Sequence, residues 1–210
     1  MLFRSVGGEP ALAASRDAAA SHARHAAWVA AQWEGAGAGR RALVFLALAL
    51  VAGPFAILCA TVREAVALNS ILAVAVIGPV AEELGKIAAP LMTLERRPWL
   101  FSSGGSLAAL CALSGLVFAS VENLVYLFHY IPDPTPGIVL WRLVVCTALH
   151  VGCSTLSGLG LARAWRRAAR DRAPADPSLA ATWTIAAIVV HGSYNALATA
   201  WEIFARAEGG

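Results

Sequence analysis

Long apolar runs, separated by short arginine-bearing or proline-bearing connections, set the pattern of this chain. Five runs stand out, near Arg41–Ala60, Ala65–Leu94, Ser106–Phe128, Gly137–Ala164 and Leu179–Phe204. Each is long enough for a helix that crosses a hydrocarbon core of roughly 30 Å. A bilayer offers no water to backbone groups, so such runs must satisfy their amides internally. The predicted fold is therefore all-α, a polytopic transmembrane helix bundle of about five spans at 41–205. Gly53-Pro54 places a kink in the first run. Gly78-Pro79 lies inside the second, where the missing proline amide is expected to bend or break the helix.

Residues 1–40 differ from the rest. They lack the continuous apolar core of a signal peptide and are alanine-rich from Ala11 to Gln32. Pro10 suits a first helical turn, and the glycines from Gly35 to Gly39 suit its end. The expectation is a cytoplasmic segment, either an interfacial amphipathic helix or a flexible tail.

Composition agrees with the bilayer. The 210 residues are 59% hydrophobic and 14% charged, against roughly 25% charged in a soluble domain. The net charge of +3 comes from arginines in the connections, which reads as membrane orientation rather than nucleic-acid affinity. Arg40 and Arg41, then Arg96 and Arg97, then Arg163, Arg166, Arg167, Arg170 and Arg172 fall on one side. The amino terminus is thus expected in the cytoplasm and the carboxyl terminus outside. Cys59, Cys111, Cys146 and Cys153 form no CxxC pair and read as packing residues.

Few ionisable residues lie deep in the runs. The second holds Glu82, Glu83 and Lys86, the one lysine of the chain. The third holds Glu122 and Asn123, the fourth His150, the fifth His191 and Asn195. Charges at that depth are costly and usually functional. At about 1.5 Å of rise per residue, Glu82, Glu122, His150 and His191 all fall roughly 18 to 24 Å from the cytoplasmic face. Arg142 and Glu202 sit close enough to run ends to snorkel.

That layer carries a definite chemistry. Zinc takes neutral imidazole and carboxylate oxygen and keeps one position for water. His150, His191 and Glu122 are the ligands this suggests, with Glu82 or Glu83 as the base that takes the water's proton. Lys86, one turn from both glutamates, balances a charge. Asn195 shares a face with His191 and would hydrogen-bond an oxyanion. Taken singly, each residue also reads as an ordinary interhelical hydrogen-bond partner.

The motifs in order are Glu82-Glu83-Leu84-Gly85-Lys86, Phe118-Ala119-Ser120-Val121-Glu122-Asn123, His150 on the fourth run, and His191-Gly192-Ser193-Tyr194-Asn195. This resembles the PrsW family of intramembrane metalloproteases, over about Ile77 to Asn195. Through it the chain resembles the CAAX-processing and bacteriocin-processing membrane proteases, whose marks are EExxxR, FxxxH and HxxxN/D. Glu122 in place of histidine and Lys86 in place of arginine favour the PrsW branch. The resemblance implies hydrolysis of a peptide bond in a membrane-embedded or membrane-anchored protein substrate. It implies zinc, or a glutamate-dependent reaction with no metal, and location in a bacterial cytoplasmic membrane. No nucleic-acid partner is implied. Two other classes use buried Glu, Lys and His: an ion-coupled transporter, and a non-catalytic membrane chaperone or scaffold. The absence of an inverted repeat argues against the transporter.

Overall fold

The computed structural model describes residues 10–66 and 71–208. Among the described residues there are helices and no strand. The helices are α1 (Pro10–Gly35), α2 (Ala38–Val66), α3 (Gly78–Arg96), α4 (Gly104–Val125), α5 (Pro136–Trp141), α6 (Thr147–Asp171) and α7 (Ala181–Glu208). Residues 1–9 of the amino-terminal segment, residues 67–70 of the second run and the Cys59 side chain lie outside the described residues.

Three π-helical turns extend these elements. Ala73–Ile77 leads into α3, Tyr126–Tyr130 continues α4, and Arg142–Cys146 joins α5 to α6. The fourth run is thus helical from 136 to 171, longer than its apolar part alone.

Among the described residues, three helices are long and apolar enough to cross a membrane: Ala38–Phe55, Gly104–Tyr130 and Pro136–Asp171. The second run is described only on either side of 67–70, and both it and the fifth run carry polar side chains. α3 carries Glu82, Glu83, Lys86, Glu95 and Arg96, and α7 carries His191, Asn195 and Glu202. The deepest of these are buried and face other helices rather than lipid. The outward faces are apolar, with Leu43, Leu50, Leu140, Ile185, Val189 and Leu197 all exposed.

α4 and α6 form the most extensive helix pair. Glycine permits it. A Cβ at Gly115 would lie 2.7 Å from the His150 carbonyl oxygen, and one at Gly158 would lie 2.9 Å from the Ala108 Cα. Ile87, Leu94, Leu107, Leu110 and Leu161 fill the core between α3, α4 and α6. At the same end α1 is a packed helix. Val29 is buried with Trp99 and Leu100, and Trp28 meets Trp99 edge-on at 5.5 Å. The Trp165 indole donates to the Pro98 carbonyl at 3.1 Å, and Arg41 Nε to the Trp99 carbonyl at 3.0 Å.

Gly78-Pro79 widens the second run instead of breaking it. Ile77 and Gly78 keep right-handed helical backbone angles. Pro79 has no amide for the Ala75 carbonyl one turn back, and the π turn takes up the disturbance. Gly192 then packs on that carbonyl: a Cβ there would collide with the Ala75 oxygen. Next to it, Asn195 Nδ2 donates to the Val74 carbonyl at 3.1 Å. α7 thus reads the exposed backbone of the π turn. Gly192→Ala should cost about 1–3 kcal/mol through overpacking, seen as a lower Tm in detergent. Gly152→Ala, with nothing within 4 Å of the added carbon, is the control that should stay near wild type.

Candidate active site

α3, α4, α6 and α7 bring their ionisable side chains to one place. Glu82, Glu83, Lys86, His150 and His191 are all buried. Glu82 and Glu83 are adjacent on a helix, so they point about 100° apart and meet different neighbours.

Lys86 sits at the centre. Its Nζ lies 2.7 Å from Glu83 Oε1 and 2.8 Å from His150 Nδ1, and 4.3 Å from the Phe118 ring centroid. An ammonium only donates, so His150 accepts at Nδ1 and carries its proton on Nε2. That Nε2 lies 2.9 Å from Glu122 Oε2. Glu122 Oε2 also accepts from Arg142 Nη2 at 3.0 Å. On the other side Glu83 Oε1 lies 2.8 Å from His191 Nδ1. With Glu83 accepting, His191 donates at Nδ1, and in its neutral form it presents a lone pair at Nε2. Across 3.7 Å from that Nε2 stands Glu82 Oε2. The two imidazoles meet at right angles, with centroids 4.8 Å apart.

The result is one polar chain through the bundle: Arg142, Glu122, His150, Lys86, Glu83, His191, Glu82. A cavity of about 250 Å³ runs along it, lined by Glu82, Glu122, Arg142, His150, His191 and Asn195. Glu83 and Lys86 do not line it; they lie behind its wall. Ile131 from the connection after α4, and Glu202 near the end of α7, also line it, so the cavity reaches the side away from the arginines.

All seven residues singled out by sequence gather here, with altered partnerships. Glu82, His150 and His191 each offer a donor atom within 4.8 Å of the others. Glu122 stands beside this trio, engaged with His150 and Arg142. Asn195 lines the cavity while holding the π turn. Phe118 packs on His150 with ring centroids 5.1 Å apart and planes tilted by 58°, and Asn123 bridges helices to the Arg142 carbonyl and Thr147.

Arg142 is the residue that sequence reasoning missed. Its place near a run end suggested snorkelling, yet it turns inward onto Glu122 and stacks 3.8 Å from the Tyr126 centroid. The available signal was that no other arginine lies between Arg97 and Arg163. Tyr194 was missed too. Its hydroxyl accepts from the Trp141 indole at 2.8 Å and sits on the cavity wall.

The donor set suits a metal in kind, with two imidazoles and one carboxylate, all buried. Tetrahedral zinc would place its donors about 3.3 Å apart, so the trio would have to draw in. His150 would also exchange one of its two present partners, Lys86 or Glu122.

No curated protein and no solved structure matches the chain significantly. A family does: residues 25–207 match the PrsW family intramembrane metalloproteases. That match covers every residue of the polar chain and α2 to α7 almost whole. It places the chain among proteases rather than transporters or scaffolds. The chain is an integral membrane protease and belongs to the PrsW family of intramembrane metalloproteases.

Proposed function

We propose that this enzyme hydrolyses a peptide bond of a membrane-embedded or membrane-anchored protein substrate, with Glu82 as proton acceptor for the attacking water. One observation carries the assignment. Of the two adjacent glutamates, Glu82 faces the cavity and Glu83 lies behind it. Glu82 Oε2 and His191 Nε2 lie 3.7 Å apart, near enough for one water in the cavity beside them to contact both.

The rest of the chain positions this pair. Glu83, anchored by Lys86, holds His191 in the tautomer that leaves Nε2 open. His150, fixed between Lys86 and Glu122, closes the cavity wall beside them. Asn195 spends one amide hydrogen on Val74 and keeps the second for the oxyanion of the tetrahedral intermediate. Glu82 then returns its proton to the leaving amine. The polar faces of α3 and α7 turn inward on this site, which supports five crossings with the arginine-rich end in the cytoplasm.

A second reading rests on the Glu82–His150–His191 trio. These three would hold zinc, which when bound lowers the pKa of a water and polarises the substrate carbonyl. Glu82 is then a ligand, and Glu122, beside the trio and hydrogen-bonded to His150, is the cavity carboxylate placed to take the proton. Metal analysis of the purified protein separates the readings. Zinc retained by wild type and lost in His150→Ala and His191→Ala supports the second; protein that is active without metal supports the first.

The activity itself is tested by comparing protein termini in membranes of cells expressing wild type or Glu82→Gln. New termini in membrane proteins are expected with wild type only. Identical termini in both would overturn the proposal.

A further inference from the structure

At the end of the bundle opposite the cavity mouth, four arginines have no part in the reaction. Arg163, Arg166, Arg167 and Arg170 lie at i, i+3, i+4 and i+7, so they share one face of the last turns of α6. With Leu179 they line a pocket of about 410 Å³. Their charge is scarcely balanced. Asp171 lies 3.1 Å from Arg170 and 3.9 Å from Arg167. Asp176 also faces Arg167, while its carboxylate is held below its ordinary range by the Ser178 hydroxyl and amide. Among the described residues no carboxylate lies within 4.0 Å of Arg163 or Arg166.

Depth says what fills such a pocket. The same turn carries Trp165, and Trp183 packs on Gly160 one turn before Arg163. Trp33 lies 6.2 Å from Trp165. Tryptophans mark the headgroup level of a bilayer. Leu179 gives the pocket an apolar side, and the apolar span of α6 ends there. Guanidinium forks match phosphate oxygens in geometry as well as charge.

We propose that this pocket binds the phosphate headgroup of an anionic phospholipid. The site is independent of the catalytic assignment and of which leaflet it faces. A basic cluster bordering a membrane-crossing helix recognises anionic headgroups through the same forces.

Native mass spectrometry of the full chain from mixed phosphatidylglycerol and phosphatidylcholine vesicles tests it. Wild type should retain phosphatidylglycerol in preference to phosphatidylcholine. Arg163→Gln/Arg166→Gln should weaken that retention about tenfold, and Gln at all four positions should abolish the preference. Arg96→Gln/Arg97→Gln removes as much charge near the same end and should leave it intact. Excess inorganic phosphate should not displace the lipid. Equal retention of both lipids would overturn the proposal, as would equal loss in the Arg96/Arg97 variant. Displacement by inorganic phosphate would also overturn it, by showing an anion site without a lipid requirement. The double variant keeps the test valid if the fourfold one fails to fold.

Discussion

Glu82→Gln should lower cleavage about 10²–10⁴-fold, the usual contribution of a positioned general base, with little change in Tm. Gln is nearly isosteric, and Glu82 lies on the cavity wall with His191 Nε2 at 3.7 Å rather than in the Lys86 ion pair. Glu83→Gln should also lose activity, through a different route. It removes the anion that Lys86 and His191 share at 2.7 and 2.8 Å, so folding stability falls together with turnover. The contrast is the informative result: a stable dead enzyme from Glu82 and an unstable one from Glu83. The measurements are cleavage of a substrate found by the terminus comparison and thermal denaturation in detergent. Full turnover in Glu82→Gln, with Glu122→Gln inactive, would transfer the proton-accepting role to Glu122.

Lys86→Met should destabilise the protein by about 3–5 kcal/mol, the usual cost of breaking a buried pair by removing one partner. Lys86 is fully buried and joins two halves of the polar chain, Glu83 with His191 and His150 with Glu122. Its loss leaves a carboxylate and an imidazole nitrogen facing an apolar chain. Glu83→Gln/Lys86→Met should lose less than the two single variants together, because the second change removes the charge stranded by the first. Strict additivity in that cycle would show that the pair is not coupled. Lys86→Arg does not substitute: the guanidinium is wider than the ammonium, and the space is bounded by the Phe118 ring at 4.3 Å.

The residues of the site were legible in the sequence because a bilayer makes each of them expensive. Glu82, Glu83, Lys86, His150 and His191 had no interfacial role to fall back on. Arg142 did have one: it lies near a run end, and only the α4–α6 packing turns it onto Glu122. The choice between Glu82 and Glu83 was equally out of reach. Spacing places both near Lys86, and the orientation of α3 against α7 separates them. Gly78-Pro79 was legible as a disturbance, but its form was not. A break and a π turn start from the same missing amide, and Gly192 and Asn195, more than a hundred residues later, cover the result. The span count blurred for a related reason. His191 and Asn195, which α7 brings to the candidate site, are also what lowers its hydropathy.

The polar chain from Arg142 to Glu82 also has an electrical sum. Counted with both imidazoles neutral, it sets two cations, Arg142 and Lys86, against three carboxylates, Glu82, Glu83 and Glu122. On that count the polar chain carries one net negative charge in a medium that tolerates charge poorly. One proton arriving at Glu82 brings the total to zero. In the proposed reaction the splitting of a water does that: the proton goes to the carboxylate while the hydroxide adds to the peptide carbonyl. The polar chain would then be electrically neutral at the moment the substrate carries the oxyanion, and the charge would have passed from protein to substrate without leaving the cavity.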